Sequence, residues 1–224
     1  MVILDLFCCA GGAAMGYSKA GFEVVGVDIC DQPHYPFPFI KMDAFEFLKN
    51  ADLTKFDAIH ASPPCQRYTR LKSQSRMCEA EWDVLHPDLI PSIREALIRS
   101  RKPYIIENVV GSPLKEPIRL RGDQFGLYTQ RERLFESNVP LHEPGRKSHR
   151  HGTKHPNQGI SEDGFISIAG NGHVSGLNQT QVKLYWGFAL GGIDWMDIKE
   201  LSQAIPPVYT EYIGRQLMSY ILYN

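Results

Sequence analysis

The sequence predicts an α/β protein built around a largely parallel β-sheet. Short, almost wholly apolar segments, which are typical of strands buried on both faces, alternate along the chain with patterns of helical period. A run of small residues with two adjacent glycines joins the first of these strands to the first helix. The length of 224 residues suffices for one ordinary domain with a sizeable core.

The first half of the sheet begins at the start of the sequence. Residues 2–7 are predicted to form a buried strand, and residues 13–20 a helix that ends at Gly21. Residues 23–29 are predicted to form a second buried strand. This succession of strand, helix and strand is the opening of a layered α/β fold.

Two more strands are predicted further along, at residues 56–60 and 103–107. Between them a helical pattern presents one apolar face, made of Leu89, Ile93, Leu97 and Ile98. A closing helix is expected from about residue 209 to residue 222. The regular alternation of strands and helices indicates that the sheet is largely parallel.

The stretch from residue 139 to residue 181 has a different composition. It is rich in Gly, His, Asn and Ser and shows little periodicity, which predicts a loop-rich insert or small subdomain. We therefore expect three parts: a core of residues 1–138, the insert of residues 139–181, and a segment of residues 182–224 that returns to the core.

Composition and charge exclude several classes of protein. The net charge of -1 excludes a uniformly basic nucleic-acid coat, so a polyanion would have to meet a local basic surface. Five cysteines, an odd number without zinc-ribbon spacing, favour a reduced, cytoplasmic setting and no metal site. We expect no signal peptide and no membrane span, because no apolar run approaches the roughly 20 residues that a bilayer requires.

The glycine turn at Gly11 and Gly12 is typical of nucleoside binding. Such a turn lets a ligand approach the backbone, and the amides that begin the following helix suit an anionic group. Asp28 lies about 16 residues further on, near the ~20-residue offset at which a carboxylate accepts hydrogen bonds from ribose hydroxyls. Asp43 could accept a hydrogen bond from an adenine amino group. A purely structural turn with solvated carboxylates is the alternative interpretation.

A second motif, Ser62-Pro63-Pro64-Cys65-Gln66, follows the strand that ends near residue 60. The two prolines restrict the backbone, so the loop is held stiff at the carboxyl edge of the predicted sheet, where ligand sites of open α/β sheets form. Cys65 is therefore a candidate catalytic thiol at the edge of the sheet where a ligand would bind. An inert thiol after a structural turn is the alternative.

Further candidates are consistent with addition of the Cys65 thiolate to carbon 6 of a pyrimidine. Glu107, at the end of its strand, could protonate ring nitrogen 3 if burial raises its pKa. Arg131 and Arg133 occupy alternate positions, hence one face, of a probable strand and could hold the base and the developing charge. An ion-pair role for Glu107 and a solvated edge for the arginines stay open.

Taken together and in order, the motifs resemble the DNA cytosine-5 methyltransferase family. The segments that carry the resemblance are residues 5–7 with the Gly11-Gly12 turn, Val27-Asp28, Asp43, residues 62–66, Glu107-Asn108-Val109 and residues 130–133. The resemblance implies S-adenosylmethionine as cofactor, a Rossmann-like sheet with helices on both faces, and double-stranded DNA from which the target cytosine is flipped out.

The resemblance also implies roles for individual residues. Cys65 is the expected nucleophile, Glu107 the expected contact to the base, and Arg131 and Arg133 complete the expected catalytic set. Cofactor contacts are implied at Phe7, Ala10, Gly11, Gly12, Asp28, Ile29, Asp43, Ala44 and Pro64. Substrate contacts are implied at Gln66, Asn108 and Val109.

The chain departs from the family pattern in three places. Cys9 stands where the turn usually has its first glycine, which places a side chain near the cofactor. The expected target-recognition insert is short, but its basic residues Arg146, Lys147 and Arg150 could contact DNA phosphates. Before the closing helix, the usual Gly-Asn pair is missing. The compact build resembles bacteriophage-encoded members. We expect a monomer in the cytoplasm, which is the host cytoplasm if a bacteriophage encodes the protein.

Three other functions are compatible with parts of this pattern. An amino-methyltransferase would want an aromatic residue after the two prolines, and Cys65 argues against it. A transfer-RNA cytosine-5 methyltransferase would use the same catalytic residues, so the sequence does not separate it from a DNA enzyme. A catalytically degenerate nucleic-acid-binding protein is the non-enzymatic alternative, motivated by Cys9 alone.

Overall fold

The computed structural model describes residues 1–69, 78–145, 166–168, 172 and 176–224. Within these residues seven strands form a single sheet: β1 (Val2–Leu6), β2 (Glu23–Asp28), β3 (Phe39–Lys41), β4 (Ala58–Ala61), β5 (Tyr104–Asn108), β6 (Ile118–Leu120) and β7 (Arg133–Ser137). The α-helices of the described part are α1 (Gly12–Ala20), α2 (Ala44–Asn50), α3 (Glu79–Leu85), α4 (Ile90–Ser100), α5 (Gln179–Ala189), α6 (Ile198–Gln203) and α7 (Pro207–Tyr223).

The strand order across the sheet is β3-β2-β1-β4-β5-β7-β6. The five strands from β3 to β5 run parallel, whereas β7 lies antiparallel to β5 and to β6. The predicted parallel sheet is therefore confirmed, with an antiparallel pair added at one edge. β4 begins at Ala58 rather than at residue 56, because residues 53–55 form a 3₁₀ turn that the Asp52 side chain caps.

Helices cover both faces of the sheet, as predicted. Along each strand successive side chains point to opposite faces, so neighbouring residues enter different cores. One core contains Ile3 and Ile105 together with residues of α1 and α7, and the other contains Leu4 and Ile106 together with residues of α2 and α4. The prediction that Ile98 shares the buried face of α4 was wrong, since its side chain is 57% exposed.

The closing helix α7 packs directly against α1, the helix that follows the glycine turn. The two backbones approach closely at Gly16, where an added Cβ would lie 2.0 Å from Thr210 Oγ1 and 2.1 Å from the carbonyl oxygen of Pro207. The Thr210 hydroxyl also donates a hydrogen bond to the Ala13 carbonyl at 2.8 Å. The C-terminal helix therefore lies on the side of the helix that follows the glycine turn.

A third, smaller apolar core is built mainly from residues between β7 and α7. Its members come from the end of the predicted insert and from the segment after it: Ile166, Ile168, Val182, Trp186, Ala189, Leu190, Ile193, Met196, Leu201 and Ala204. It reaches the glycine turn, because Ala10 belongs to the same cluster and the Trp195 indole N–H donates to the Ala10 carbonyl at 2.8 Å. α5 crosses the expected boundary between residues 181 and 182.

None of the helices in the described part of the chain combines the length and the apolar character that crossing a bilayer requires.

The close contact of α1 and α7 predicts a large effect of one added methyl group. Replacement Gly16→Ala forces a Cβ against the carbonyl oxygen of Pro207, which belongs to the backbone and cannot rotate away. We expect an overpacking cost at the upper end of about 1–3 kcal/mol. This exceeds the roughly 1 kcal/mol that alanine gains over glycine in helix propensity. Urea unfolding of the variant measures the difference.

Gly145→Ala is the matched control, because its Cβ would have no described atom within 4 Å. Equal stability of the two variants would contradict the proposed packing of α1 against α7.

Candidate active site

The candidate site forms where the parallel strands β1, β4 and β5 end side by side. The register pairs Leu6 with Ala61 and Ala61 with Ile106. The residues that follow are Phe7, Ser62 and Glu107, which therefore meet at one edge of the sheet. This carboxyl edge is where open α/β sheets bind ligands, and it brings the glycine turn, the Pro-Pro-Cys loop and the Glu107 strand together.

Two hydrogen bonds hold the start of the loop that carries Cys65. The Ser62 amide donates to the Leu6 carbonyl at 3.1 Å, and the Asn108 side-chain amide donates to the Pro63 carbonyl at 2.9 Å. Cys65 then begins a 3₁₀ turn at residues 66–68, with the Tyr68 amide donating to its carbonyl at 2.9 Å. The free thiol is partly exposed, as a nucleophile must be.

Glu107 is a buried carboxyl group beside this loop, and only 5% of the residue is exposed. Burial raises its pKa, and Arg133, Ser62 and Arg131 oppose that shift. Arg133 Nε lies 3.0 Å from Oε1 in an ion pair, yet this oxygen has no aligned hydrogen bond within the described residues. Glu107 therefore keeps acceptor capacity, and the site favours a carboxyl group that carries a proton more readily than usual.

The charges around Cys65 set the acidity of its thiol. Burial raises its pKa first, the negative charge of Glu107 raises it further, and Arg133 and Arg131 lower it. Neutralisation of Glu107 would remove the repulsive part of this balance while the two arginines remain. Proton uptake at Glu107 and thiolate formation at Cys65 are therefore mutually favourable.

Arg131 differs from its predicted placement. β7 begins only at Arg133, and Arg131 precedes it with a left-handed φ of 33°, so the prediction that both arginines lie on one face of a strand was wrong. The Arg131 guanidinium donates to the carbonyls of Ser202 at 2.6 Å, Ala204 at 3.1 Å and Ile168 at 3.3 Å. Arg131 thus ties the C-terminal part of the chain to the site, and its charge still acts on both Cys65 and Glu107.

The glycine turn shows the features of an anion-binding helix start. Gly11 caps α1 with a left-handed φ of 83° and has no side chain to accept hydrogen bonds from the first-turn amides. Gly12 lies so close to the C-terminal segment that a Cβ would be 2.6 Å from the Ile205 carbonyl oxygen. Phe7 and Cys9 also adopt positive φ, at 57° and 44°. The backbone is thus bent tightly enough for a carboxylate to approach the helix amides.

The second half of the candidate cofactor site lies at the ends of β2 and β3. Asp28 accepts hydrogen bonds from the amides of Cys9 and Cys30, both at 3.0 Å, so its carboxylate holds the turn in place. Asp43 caps α2 through Oδ1, at the position from which a carboxylate could also meet an amino group. Ile29 is 65% exposed beside them, an apolar surface suited to a flat ring.

The remaining predicted residues are placed as follows. Ala10 and Ala44 are buried, Pro64 is exposed, and Val109, whose amide donates to Asn108 Oδ1 at 2.9 Å, is partly exposed. Gln66 keeps a buried side-chain oxygen that lacks a hydrogen-bond partner in the described structure, which leaves it available to a ligand. Arg146, Lys147 and Arg150 lie outside the described residues.

Several buried polar residues near the site were not predicted from the sequence. Asp5, in the middle of the first apolar run, is fully buried, and the Tyr35 hydroxyl donates to its Oδ2 at 3.4 Å. Burial raises the pKa of Asp5 to about 8. His60, within the buried strand β4, is also fully buried. A polar residue inside an otherwise apolar strand was the signal that could have identified both.

His34, Asp197 and Glu200 form a group of metal-ligand types whose ligand atoms are within 4.8 Å of one another. Its hydrogen bonds have another explanation. Asp197 and Glu200 form the capping box of α6, and Glu200 pairs with His34 at 2.9 Å. These contacts account for the cluster without an ion.

The buried acid Asp5 predicts a specific pH dependence of stability. Its pKa rises from 3.8 to about 8 on folding, so the folded state holds this proton more tightly. Relative to Asp5→Asn, the protein should lose stability as the pH rises from 3.8 to about 8, and the difference should be constant above that range. Chemical unfolding at several pH values measures the difference.

Asp31→Asn removes a carboxylate whose side chain is 76% exposed and serves as the matched control. A difference between Asp5→Asn and the unmodified protein that does not change with pH would contradict the raised pKa.

Comparison with known proteins identifies the family. A model of the C-5 cytosine-specific DNA methylase family matches residues 1–112. The type II methyltransferase M.FnuDI of Fusobacterium nucleatum is 34% identical over 80 residues, which are 33% of this chain and 23% of that protein. The match thus spans less than a quarter of the length of this relative.

Two solved structures share the fold over the whole chain. One is described as a DNA modification methyltransferase encoded within a prophage of E. coli (15% identity, TM-score 0.61, 100% of both chains), and the other is the Dnmt2 methyltransferase of S. pombe (14% identity, TM-score 0.62, 100% of both chains). At these identities the likeness concerns the fold, which is that of the methyltransferases. Because the family model covers half of its length, the chain belongs to the C-5 cytosine-specific DNA methylases.

Proposed function

We propose that the protein transfers a methyl group from S-adenosylmethionine to carbon 5 of a cytosine in double-stranded DNA, through a covalent adduct with Cys65. The observation that carries this proposal is the juxtaposition of a partly exposed thiol with a buried carboxyl group. Glu107 raises the pKa of Cys65, and Arg131 and Arg133 act on both groups. Family membership supports cytosine as the base.

Methylation at carbon 5 requires a nucleophile and an acid that act on different atoms of the same cytosine ring. Carbon 5 of cytosine becomes nucleophilic only after addition at carbon 6. The Cys65 thiol therefore loses its proton to solvent, and the thiolate Sγ forms a bond to carbon 6 while Glu107 gives its proton to ring nitrogen 3. The pair of electrons from the 5,6 double bond is then available at carbon 5. After methylation, a water molecule takes the carbon 5 proton, Sγ leaves as the thiolate, and ring nitrogen 3 returns its proton to Glu107, which restores the aromatic ring.

The residues around the glycine turn fit S-adenosylmethionine. The uncapped amides at the start of α1 suit the carboxylate of its methionine part, the Asp28 and Asp43 region suits the nucleoside, and Ile29 offers an apolar surface for adenine. When bound there, the cofactor supplies an electrophilic methyl group. The chain itself holds the base, places the thiol and moves the proton at nitrogen 3.

The parts of the chain would divide this work. We propose that residues 1–138 form the catalytic core, that residues 139–181 contact the DNA, and that residues 182–224 complete the core. The return of α7 to α1 supports the last assignment. The contacts of Arg131 with Ile168, Ser202 and Ala204 support a coupling between the DNA-contacting part and the base pocket.

The covalent mechanism predicts a trapped complex. Duplex DNA with 5-fluorocytosine should form a denaturant-stable adduct with the protein in the presence of S-adenosylmethionine, because fluorine at carbon 5 cannot leave as a proton does. Cys65→Ala should abolish the adduct, and denaturing gel electrophoresis measures it. Cys78→Ser, which alters an exposed cysteine, is the matched control and should still form it.

An adduct that survives Cys65→Ala would contradict the mechanism. A parallel reaction with 5-fluorocytosine in transfer RNA identifies the polymer. Trapping of RNA but not DNA would replace DNA as the proposed substrate and leave the chemistry unchanged.

The basic residues of the insert predict a separate effect on DNA binding. Replacing Arg146, Lys147 and Arg150 by glutamine should weaken duplex DNA binding and reduce its salt dependence, because each removes a phosphate contact. The affinity for S-adenosylmethionine, measured by calorimetry, should not change. Equal loss of both affinities would indicate misfolding and contradict the assignment.

A further inference from the structure

A buried hydrogen-bond chain leads from α1 to the active-site edge. The Tyr17 hydroxyl on α1 lies 2.9 Å from His60 Nδ1, and His60 Nε2 lies 2.7 Å from Ser62 Oγ. Tyr17 and His60 are both fully buried. The register of β4 and β5 continues to Ser62 opposite Glu107, and Ser62 lowers the pKa of that carboxyl group. The chain therefore ends on the proposed acid.

The parity of the strands explains why these side chains meet. Ser62 directly follows β4 and lies two residues beyond His60, so both side chains point to the same face of the sheet. The register pairs His60 with Ile105 and Ala61 with Ile106, so Ser62 continues opposite Glu107 on the neighbouring strand. α1 covers this face, because Tyr17 and Ile105 belong to the same core. A shift of either strand by one residue would separate the four groups.

His60 gives the chain a direction. Burial lowers its pKa to about 3, so the imidazole is neutral and has one donor and one acceptor nitrogen. When Glu107 is ionised, the Ser62 hydroxyl donates to it, His60 Nε2 donates to Ser62, and Tyr17 donates to Nδ1. When Glu107 is protonated, one carboxyl oxygen carries the proton and the Ser62 hydroxyl can still donate to the other oxygen. Ser62 can thus keep its hydrogen bond to Glu107 in both proton states, while the protons on His60 and Tyr17 stay where they are.

We propose that Ser62 and His60 are positioning residues for methyl transfer, which with Tyr17 hold the Glu107 carboxyl group in both of the proton states that the reaction requires. The inference rests on the proposed function. In the addition step Glu107 passes its proton to ring nitrogen 3 as the bond from Sγ to carbon 6 forms, and it takes the proton back as that bond breaks. No proton leaves through the chain.

This role goes beyond packing. A buried histidine needs partners for both nitrogens, but these could be any backbone groups. Here one partner is the residue directly before the Pro-Pro-Cys loop, and that residue also reaches Glu107. Outside this chain, the arginines that lower the pKa of Glu107 are Arg133 and Arg131. The groups whose pKa the charge of Glu107 raises are Cys65, Cys9 and Asp5. None of these belongs to the chain of hydroxyl and imidazole groups.

Removal of the Ser62 hydroxyl tests the inference through the pKa of Glu107. In Ser62→Ala the ionised carboxylate loses a donor, so its pKa should rise by about one unit, the size of one charge-assisted hydrogen bond. Infrared spectroscopy of the carboxyl band, assigned by its loss in Glu107→Gln, measures this directly. The pH profile of single-turnover methyl transfer should contain one limb that Glu107→Gln removes. In Ser62→Ala the midpoint of that limb should move to higher pH by the same amount.

Two further variants separate positioning from folding. Ser62→Thr keeps the hydroxyl and should restore the pKa and the pH profile, whereas Tyr17→Phe removes only the far end and should shift both by less. An unchanged Glu107 pKa in Ser62→Ala, or an equal shift in Ser62→Thr, would overturn the inference. Failure of the unmodified protein to form the 5-fluorocytosine adduct would instead overturn the proposed function.

Discussion

The burial of the Glu107 carboxyl group at the end of β5 is the constraint on which the site depends. A charge in this position is costly unless it is paired and hydrogen-bonded. Arg133 provides the ion pair at 3.0 Å from the neighbouring strand β7, and Ser62, directly after β4, lowers the pKa of Glu107 as well. Burial still dominates and raises the pKa of the acid. The antiparallel pairing of β7 with β5 therefore matters for the site, because it places Arg133 next to Glu107.

The C-terminal part of the chain completes the site from a distance in sequence. Arg131 donates to three carbonyls beyond residue 165, Trp195 donates to the Ala10 carbonyl, and Ile205 packs against Gly12. These contacts join the C-terminal part of the chain to Arg131 and to the glycine turn. Arg131 therefore has two effects. Its charge lowers the pKa of Cys65, and its hydrogen bonds hold the C-terminal part of the chain in place.

Strong local patterns were sufficient to predict most of the long elements and the order of the site. Apolar runs identified β1, β2, β4 and β5, and the spacing of Leu89, Ile93 and Leu97 identified α4. Short elements such as β6 and α2 escaped prediction, because three to seven residues carry too little periodicity. The strand predicted around Arg131 and Arg133 began late, since a left-handed residue breaks the extended backbone before it.

By itself the sequence determined the residue types and their order: a glycine turn, a stiff Pro-Pro-Cys loop and an acid at a strand end, all of which follow from local backbone chemistry. Only the tertiary structure decided their partners. The register between β4 and β5 places Ser62 beside Glu107. The fold also places the Arg131 guanidinium where it donates hydrogen bonds to backbone carbonyls, instead of on the face of a strand. The pKa of a buried group depends on desolvation and on neighbours distant in sequence, so no local pattern specifies it.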